Sequence, residues 1–185
     1  MNTSLLLWVA LAVSVFWGVG LYNRLMRMRA RGLSALGSVE KHMRLYAALV
    51  REQVTLRGPG GANSQLASSK HLRNEWDGLL SSLQIFEQAL NDEGVVKLTN
   101  EPLARLVAAF DGVQVAWRHL SAVPPDLAGP VIPAELHAQW EAVALRVETA
   151  RGGFNQILTQ YNAALDQFPA RLVVGWMGFK PGGTL

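Results

Sequence analysis

The pattern of apolar and polar residues divides the chain into one unbroken apolar run and four amphipathic stretches. The run extends from Ser4 to Tyr22 and contains no charged residue. At a helical rise of about 1.5 Å per residue it is ~28 Å long, which is enough to cross a bilayer core. Beyond it, apolar spacing predicts helices over residues 24–57, 68–91, 102–121 and 133–168, and no stretch alternates as a strand does.

Apolar residues recur every three or four positions in the first predicted helix from Leu36 onward and throughout the other three. This spacing is typical of the buried seam of a helical bundle. The seam residues are Leu25, Leu36, Val39, Met43, Tyr46, Val50 and Val54 in the first helix, Leu72, Trp76, Leu79, Leu83, Phe86 and Leu90 in the second, Leu103, Leu106, Phe110, Val113, Trp117 and Leu120 in the third, and Leu136, Trp140, Val143, Val147, Ala150, Phe154, Ile157, Tyr161, Leu165 and Phe168 in the fourth.

The predicted fold is therefore all-α: an N-terminal transmembrane helix that continues into a long antiparallel four-helix (up-down) bundle. Residues 1–23 form the anchor, residues 24–168 the bundle, and residues 169–185 an apolar tail. Because the number of helices is even, we expect the tail to return to the membrane end. There it would touch either lipid or protein, namely the first helix or a neighbouring subunit.

Glycines at three places are expected to modify these helices. Gly32 and Gly37 favour a kink in the first helix, since each lowers helix propensity by about 1 kcal/mol relative to alanine. Gly94 is expected to cap the end of the second helix. Gly152-Gly153 marks either a weak point in the fourth helix or a close approach by another helix.

Basic residues directly follow the apolar run and predict its orientation. Residues 24–57 carry eight basic and two acidic residues, a net charge of +6, whereas the remaining nine basic and twelve acidic residues sum to −3. Lysine and arginine beside a span favour the cytoplasmic side, so the N-terminus is expected outside and the domain in the cytoplasm. The residues expected to set topology and contact headgroups are Arg24, Arg27, Arg29 and Arg31.

The run has neither a preceding basic residue nor a following small-x-small site, so we interpret it as a retained anchor and not as a cleaved signal peptide. Its length and arginine boundary argue against a buried core helix. A reversed topology with a periplasmic domain is the competing arrangement. The membrane-anchoring side chains are expected to be Leu5, Trp8, Phe16, Trp17 and Tyr22.

Motifs for chemistry are missing from the sequence. There is no cysteine, and the four histidines are scattered without metal-ligand spacing. No HExxH, GxSxG, P-loop or dinucleotide fingerprint occurs. The basic segment has no accompanying nucleic-acid reader motif. We therefore predict no catalytic residue, no cofactor, no metal, no small-molecule substrate and no nucleic-acid partner.

Two aromatic-asparagine pairs, Phe154-Asn155 and Tyr161-Asn162, lie seven residues apart on one stripe of the fourth predicted helix. Tyr22-Asn23 repeats the pair after the apolar run. Asparagine within a helix is unfavourable and needs a reason. The favoured interpretation is an interhelical hydrogen bond that fixes register, and the alternative is a contact with a subunit or partner.

The stretch from Phe154 to Pro181 resembles the C-terminal signature of the LemA family, through the two pairs above, Phe168-Pro169 and Gly178-Phe179. The chain departs from that family at KHMRLYAALVREQV, where relatives carry Asp, Pro and Asn. The resemblance implies a membrane-anchored helical bundle at the inner membrane of a bacterium, without established enzymatic activity. The signature and interaction residues are Tyr22, Asn23, Phe154, Asn155, Tyr161, Asn162, Phe168, Pro169, Trp176, Gly178 and Phe179.

These features together predict a non-enzymatic membrane scaffold that serves membrane organisation or a stress response. Its expected partners are membrane lipids and either further copies of itself or another membrane protein. The alternative is an enzyme or ligand sensor with a site in the bundle core.

Overall fold

A computed structural model of the chain describes residues 3–58, 70–96, 98–124, 130–168 and 170–185. Within these residues the regular elements are all helices, in the order α1 (Thr3–Arg57), α2 (Lys70–Leu90), α3 (Glu93–Val96), α4 (Asn100–Ser121), α5 (Ala134–Asp166) and α6 (Ala170–Val173). The predicted all-α class is confirmed. Ser68 and Ser69, the first two residues of the second predicted helix, lie outside the described residues.

The longest element, α1, joins the apolar run to the core without a break. It contains 55 residues, or about 80 Å of helix. Its first part is exposed from Ser4 to Phe16, and its buried residues begin at Leu25. Helix α1 continues through both Gly32 and Gly37, the positions at which a kink is expected.

Close approach between helices occurs at Gly32 and not at the predicted Gly152-Gly153. A Cβ atom on Gly32 would lie 3.2 Å from Leu158 Cδ2 on α5, whereas one on Gly152 or Gly153 would meet nothing within 4 Å. Helix α5 is also continuous through this glycine pair. Gly94 is likewise not a cap of α2, since it lies within α3.

Helices α1 and α2 run antiparallel to each other. Between α1 and α2, Arg51 pairs with Glu87 while Arg44 donates to the Asn91 side chain at 3.1 Å. The most extensive packing joins α1 to α5 and α2 to α4.

A layer of aromatic side chains contributed by all four long helices forms the centre of the core. The Tyr46 ring of α1 lies 5.0 Å from Phe110 of α4 and 4.4 Å from Trp140 of α5, and it makes an edge contact with Phe86 of α2. Trp140 also stacks on Trp117 at 3.8 Å. Burial raises the pKa of the Tyr46 phenol well above its usual range.

The predicted seams are confirmed for α2 and α4, in which every seam residue is buried. The stripe of α5 is confirmed only in part. Ile157 is half-buried beside a fully buried Leu158, and Phe168 is 82% exposed. Phe168 lies beyond the end of α5, so helical periodicity no longer determines which way its side chain faces.

Replacing Phe86 by alanine should lower the free energy of unfolding by about 3–5 kcal/mol, because it empties the centre of the aromatic layer. The neighbouring Ile85→Ala removes a side chain that is 58% exposed and should change it by less than about 0.5 kcal/mol. Denaturant unfolding of the full chain in detergent micelles measures both. Equal losses would contradict the core assignment.

Candidate functional site

The aromatic-asparagine pairs of α5 meet the C-terminal tail, defined here as residues 170–185. After α6 the tail turns between residues 174 and 178 and then continues without regular secondary structure from Phe179 to Leu185. This last part lies along α5 and beside the start of α4. The sequence-predicted residues Asn155, Tyr161 and Asn162 all bind it.

Each asparagine binds one tail residue through both groups of its peptide. Asn162 Nδ2 donates to the Gly182 carbonyl at 2.9 Å, and Asn162 Oδ1 accepts the Gly182 N–H at 2.9 Å. Asn155 does the same with Leu185, accepting its N–H at 2.7 Å. Because the side-chain amide is both donor and acceptor, it binds the peptide N–H and carbonyl that a neighbouring β-strand would otherwise bind. We call this arrangement the asparagine ladder.

The spacing of the ladder follows from two backbone geometries. Seven residues of α-helix advance about 10.5 Å, and three residues of extended chain advance about 10 Å. Asparagines seven apart on α5 therefore match tail residues three apart, Gly182 and Leu185. Their partner is the chain's own tail, so the predicted interhelical hydrogen bond is wrong.

Further polar contacts hold the tail on both sides of the ladder. The Tyr161 hydroxyl donates to the Lys180 carbonyl at 3.1 Å, and the Gly183 N–H donates to the Leu98 carbonyl at 2.9 Å. Leu98 has a φ of 57°, in the left-handed region that residues other than glycine rarely adopt. Leu98 is thus held in an unfavourable backbone conformation and presents its carbonyl to the tail.

The tail fits its slot because two of its residues lack side chains. A Cβ on Gly182 would lie 2.5 Å from Leu158 Cδ1, and a Cβ on Gly183 would lie 2.8 Å from the backbone Cα of Asn100. Both distances are shorter than real Cβ contacts. Neither glycine was singled out from the sequence, although Gly-Gly after Pro181 is a recognisable signal for close backbone approach.

Aromatic contacts link the same tail to the end of the apolar run. Phe179 is buried, and its ring lies 5.6 Å from that of Tyr22 in an edge arrangement. Phe154 is fully buried in the core, as its place on the stripe predicts. Asn23 is exposed and takes no part in the ladder, and Pro169 lies outside the described residues.

Exposed apolar side chains mark the bend between α5 and the extended tail. Phe168, Leu172 and Trp176 are 82%, 69% and 98% exposed, and we call the bend that carries them the apolar turn. Phe168 lines a small cleft with Trp17 and other α1 residues, and Phe179 contacts Tyr22. The apolar turn therefore begins at a cleft shared with the final part of the apolar run, and the residue that follows it in the tail, Phe179, contacts the same part.

A larger cleft of about 530 Å³ opens between α1, the start of α4 and the tail. Arg29 and Lys180 provide its charges, and Thr99, Asn100 and Tyr161 provide further polar groups. Burial raises the pKa of Tyr161, while the positive charge of nearby Arg29 opposes that rise.

The described residues include few buried polar side chains and no group of metal ligands. Among them Gln53 is the only buried polar or charged side chain, and its amide oxygen accepts from Arg57 at 3.2 Å. In the same part of the chain, no three His, Cys, Asp or Glu side chains come together as metal ligands would. Two histidines instead lie near a glutamate one helical turn away.

Comparison of the chain with models of known protein families, with curated proteins and with solved structures gave no match in any of the three.

Removing one step of the asparagine ladder should loosen the tail. In Asn162→Ala the buried peptide groups of Gly182 lose both partners, at about 1–3 kcal/mol. Hydrogen exchange of residues 180–185, followed by mass spectrometry, should then accelerate about 5- to 150-fold. The exposed Asn23→Ala serves as control and should leave exchange unchanged. Unaltered protection in Asn162→Ala would contradict the ladder.

Proposed function

We propose that the chain is a single-pass membrane protein of LemA-like architecture that acts as a non-enzymatic scaffold. The observation that carries this proposal is the continuity of α1. Its apolar run is long enough to cross a membrane and is exposed from Ser4 to Phe16, yet the same helix enters the core from Leu25 onward. A soluble protein rarely exposes so large an apolar surface, whereas a membrane span requires one.

The domain after the span is, in this proposal, an antiparallel four-helix bundle of up-down topology. The antiparallel contacts described above support it. So does the pairing of α1 with α5, in which Leu158 lies against Gly32 and Trp140 against Tyr46. Helix α5 then returns toward the membrane and delivers the tail there.

Four exposed arginines support an orientation with the N-terminus outside and the domain in the cytoplasm of a bacterium. Arg24, Arg27, Arg29 and Arg31 follow the span within nine residues of Tyr22, and none has a carboxylate within 4 Å among the described residues. Unpaired basic residues at this position favour the cytoplasmic side and attract anionic headgroups.

The apolar turn supplies a second membrane contact in this arrangement. Its exposed phenylalanine lines a cleft with the end of the span, and its exposed leucine and tryptophan follow within eight residues. These residue types insert into the boundary between headgroups and acyl chains. Attachment at two points would hold the domain in one orientation against the bilayer, which suits a scaffold.

Two features of the described residues support the scaffold role. The core buries no charged side chain, and no cluster of metal ligands is present. The partners we propose are membrane lipids and either a second copy of the chain or another membrane protein. The process served would be membrane organisation or a stress response.

The proposed orientation predicts the activity of reporters fused after Leu185. In bacterial cells an alkaline phosphatase fusion should be inactive and a fluorescent-protein fusion should be bright, because the former folds only outside the cytoplasm. Replacing all four arginines by glutamine should weaken this preference. An active phosphatase in the unaltered chain would show a periplasmic domain and overturn the orientation.

A photoreactive amino acid at position 176 should form adducts with lipid when the full chain is in its native membrane. The matched control is position 145. Leu145 is also exposed and apolar, but it lies about 30 Å along α5 from the end of that helix at Asp166, after which the tail follows. Label at 145 should give no lipid adduct.

Mass spectrometry of the same samples tests the scaffold role. Protein adducts with a second copy or with a membrane protein are expected at one of the two positions. A chain that stays monomeric at all concentrations and gives no protein adduct would contradict that role, whether or not lipid adducts form at position 176.

A further inference from the structure

The cleft between α1, the start of α4 and the tail carries two cations without anionic partners. Arg29 and Lys180 both line it, and no aspartate or glutamate does among the described lining residues. By contrast Arg51, Arg105 and Arg151 each pair with a carboxylate. The nearest acid along α4 is Glu101, whose carboxylate lies 3.6 Å from Arg105 and so is engaged elsewhere.

The two cations converge on the cleft through separate parts of the fold. Arg29 is held by α1, and its charge acts on the Tyr161 phenol. Lys180 follows the buried Phe179, and its own carbonyl accepts from that same phenol at 3.1 Å. Residues 151 positions apart in the sequence are thus brought to one place by the asparagine ladder.

We propose that this cleft binds a phosphate group through Arg29 and Lys180. A guanidinium donates to two phosphate oxygens at once, and an ammonium adds a point charge, so the pair suits a phosphate mono- or diester. The Thr99 and Asn100 side chains add neutral polar groups to the same wall. The volume of about 530 Å³ admits a phosphate with an attached glycerol.

The headgroup of an anionic phospholipid is one source of such a phosphate, and a soluble phosphate ester is the other. Arg29 lies seven residues after Tyr22 on a continuous helix, about 10 Å along its axis. Phe179 contacts Tyr22, so the Lys180 side of the cleft is close to the end of the apolar run. The lipid source rests on the membrane anchoring proposed above, whereas binding of a soluble phosphate does not.

The test compares two double variants of the full chain that lose the same charge. Arg29→Gln/Lys180→Gln removes both cleft cations. Arg73→Gln/Arg146→Gln removes two exposed arginines, one on α2 and one on α5, that do not line the cleft. Hydrogen exchange of residues 180–185 first verifies that the tail remains bound in both variants.

Lipid binding is measured by native mass spectrometry of the chain in micelles that contain phosphatidylglycerol and phosphatidylcholine. Soluble phosphate is measured by calorimetric titration of inorganic phosphate and of glycerol 3-phosphate into phosphatidylcholine nanodiscs that hold the chain. For each probe that the unaltered chain binds, the cleft variant should weaken binding at least about tenfold, because it loses charge-assisted hydrogen bonds. The control variant should weaken binding less than about twofold.

Each outcome decides the proposal. Selective loss in the lipid arm assigns the cleft to a headgroup, and selective loss in the soluble arm assigns it to a phosphate ester. Equal losses in the two double variants would show that diffuse surface charge is responsible and would overturn the site. Failure of the unaltered chain to bind any of the three probes would overturn it as well. Neither of these results bears on the reporter test of anchoring, so the two proposals fail independently.

Discussion

The tail is fixed by a match between the rise of a helix and the rise of an extended chain, and the rest of the site depends on that match. Asn155 and Asn162 bind tail residues three apart because seven helical residues and three extended residues cover nearly the same length. This pairing keeps Phe179 on Tyr22 and places Lys180 beside Arg29. It also stabilises the fold against the unfavourable backbone conformation of Leu98, whose carbonyl accepts from Gly183.

The bundle seams could be predicted from the sequence because burial within a regular helix follows a single period. Leu72 and Phe86 on α2, and Leu103 and Phe110 on α4, are buried where the 3-4 spacing predicts. The same reasoning misplaced Phe168, because it extended the period of α5 past Asp166, where the helix ends. The structural roles of glycines are harder to predict, since helix propensity does not reveal which glycine meets another helix. That glycine is Gly32, beside Leu158, and not the conspicuous Gly152-Gly153 pair.

Of the candidate site, the side chains on α5 could be predicted from the sequence, but the segment that they bind could not. The asparagine spacing identified the two side chains that bind the tail, because a polar residue repeated every seven positions on an amphipathic helix has few explanations. Their partner could not be inferred, because an extended segment bound through its peptide groups has no side-chain periodicity. The left-handed Leu98 is equally invisible in sequence, since its conformation is imposed by surroundings that lie far away along the chain.

The unbroken course of α1 has a consequence for how the domain meets its surroundings. A continuous helix fixes the angular phase of everything attached to it, at about 100° per residue. One residue inserted between Tyr22 and Leu25 would turn the domain by that angle about the helix axis, and would carry the cleft and the apolar turn away from the side they now face. Seven inserted residues would restore the angle to within about 20° but lift the domain by ~10 Å. The segment that joins run and core is thus constrained in length more tightly than in composition.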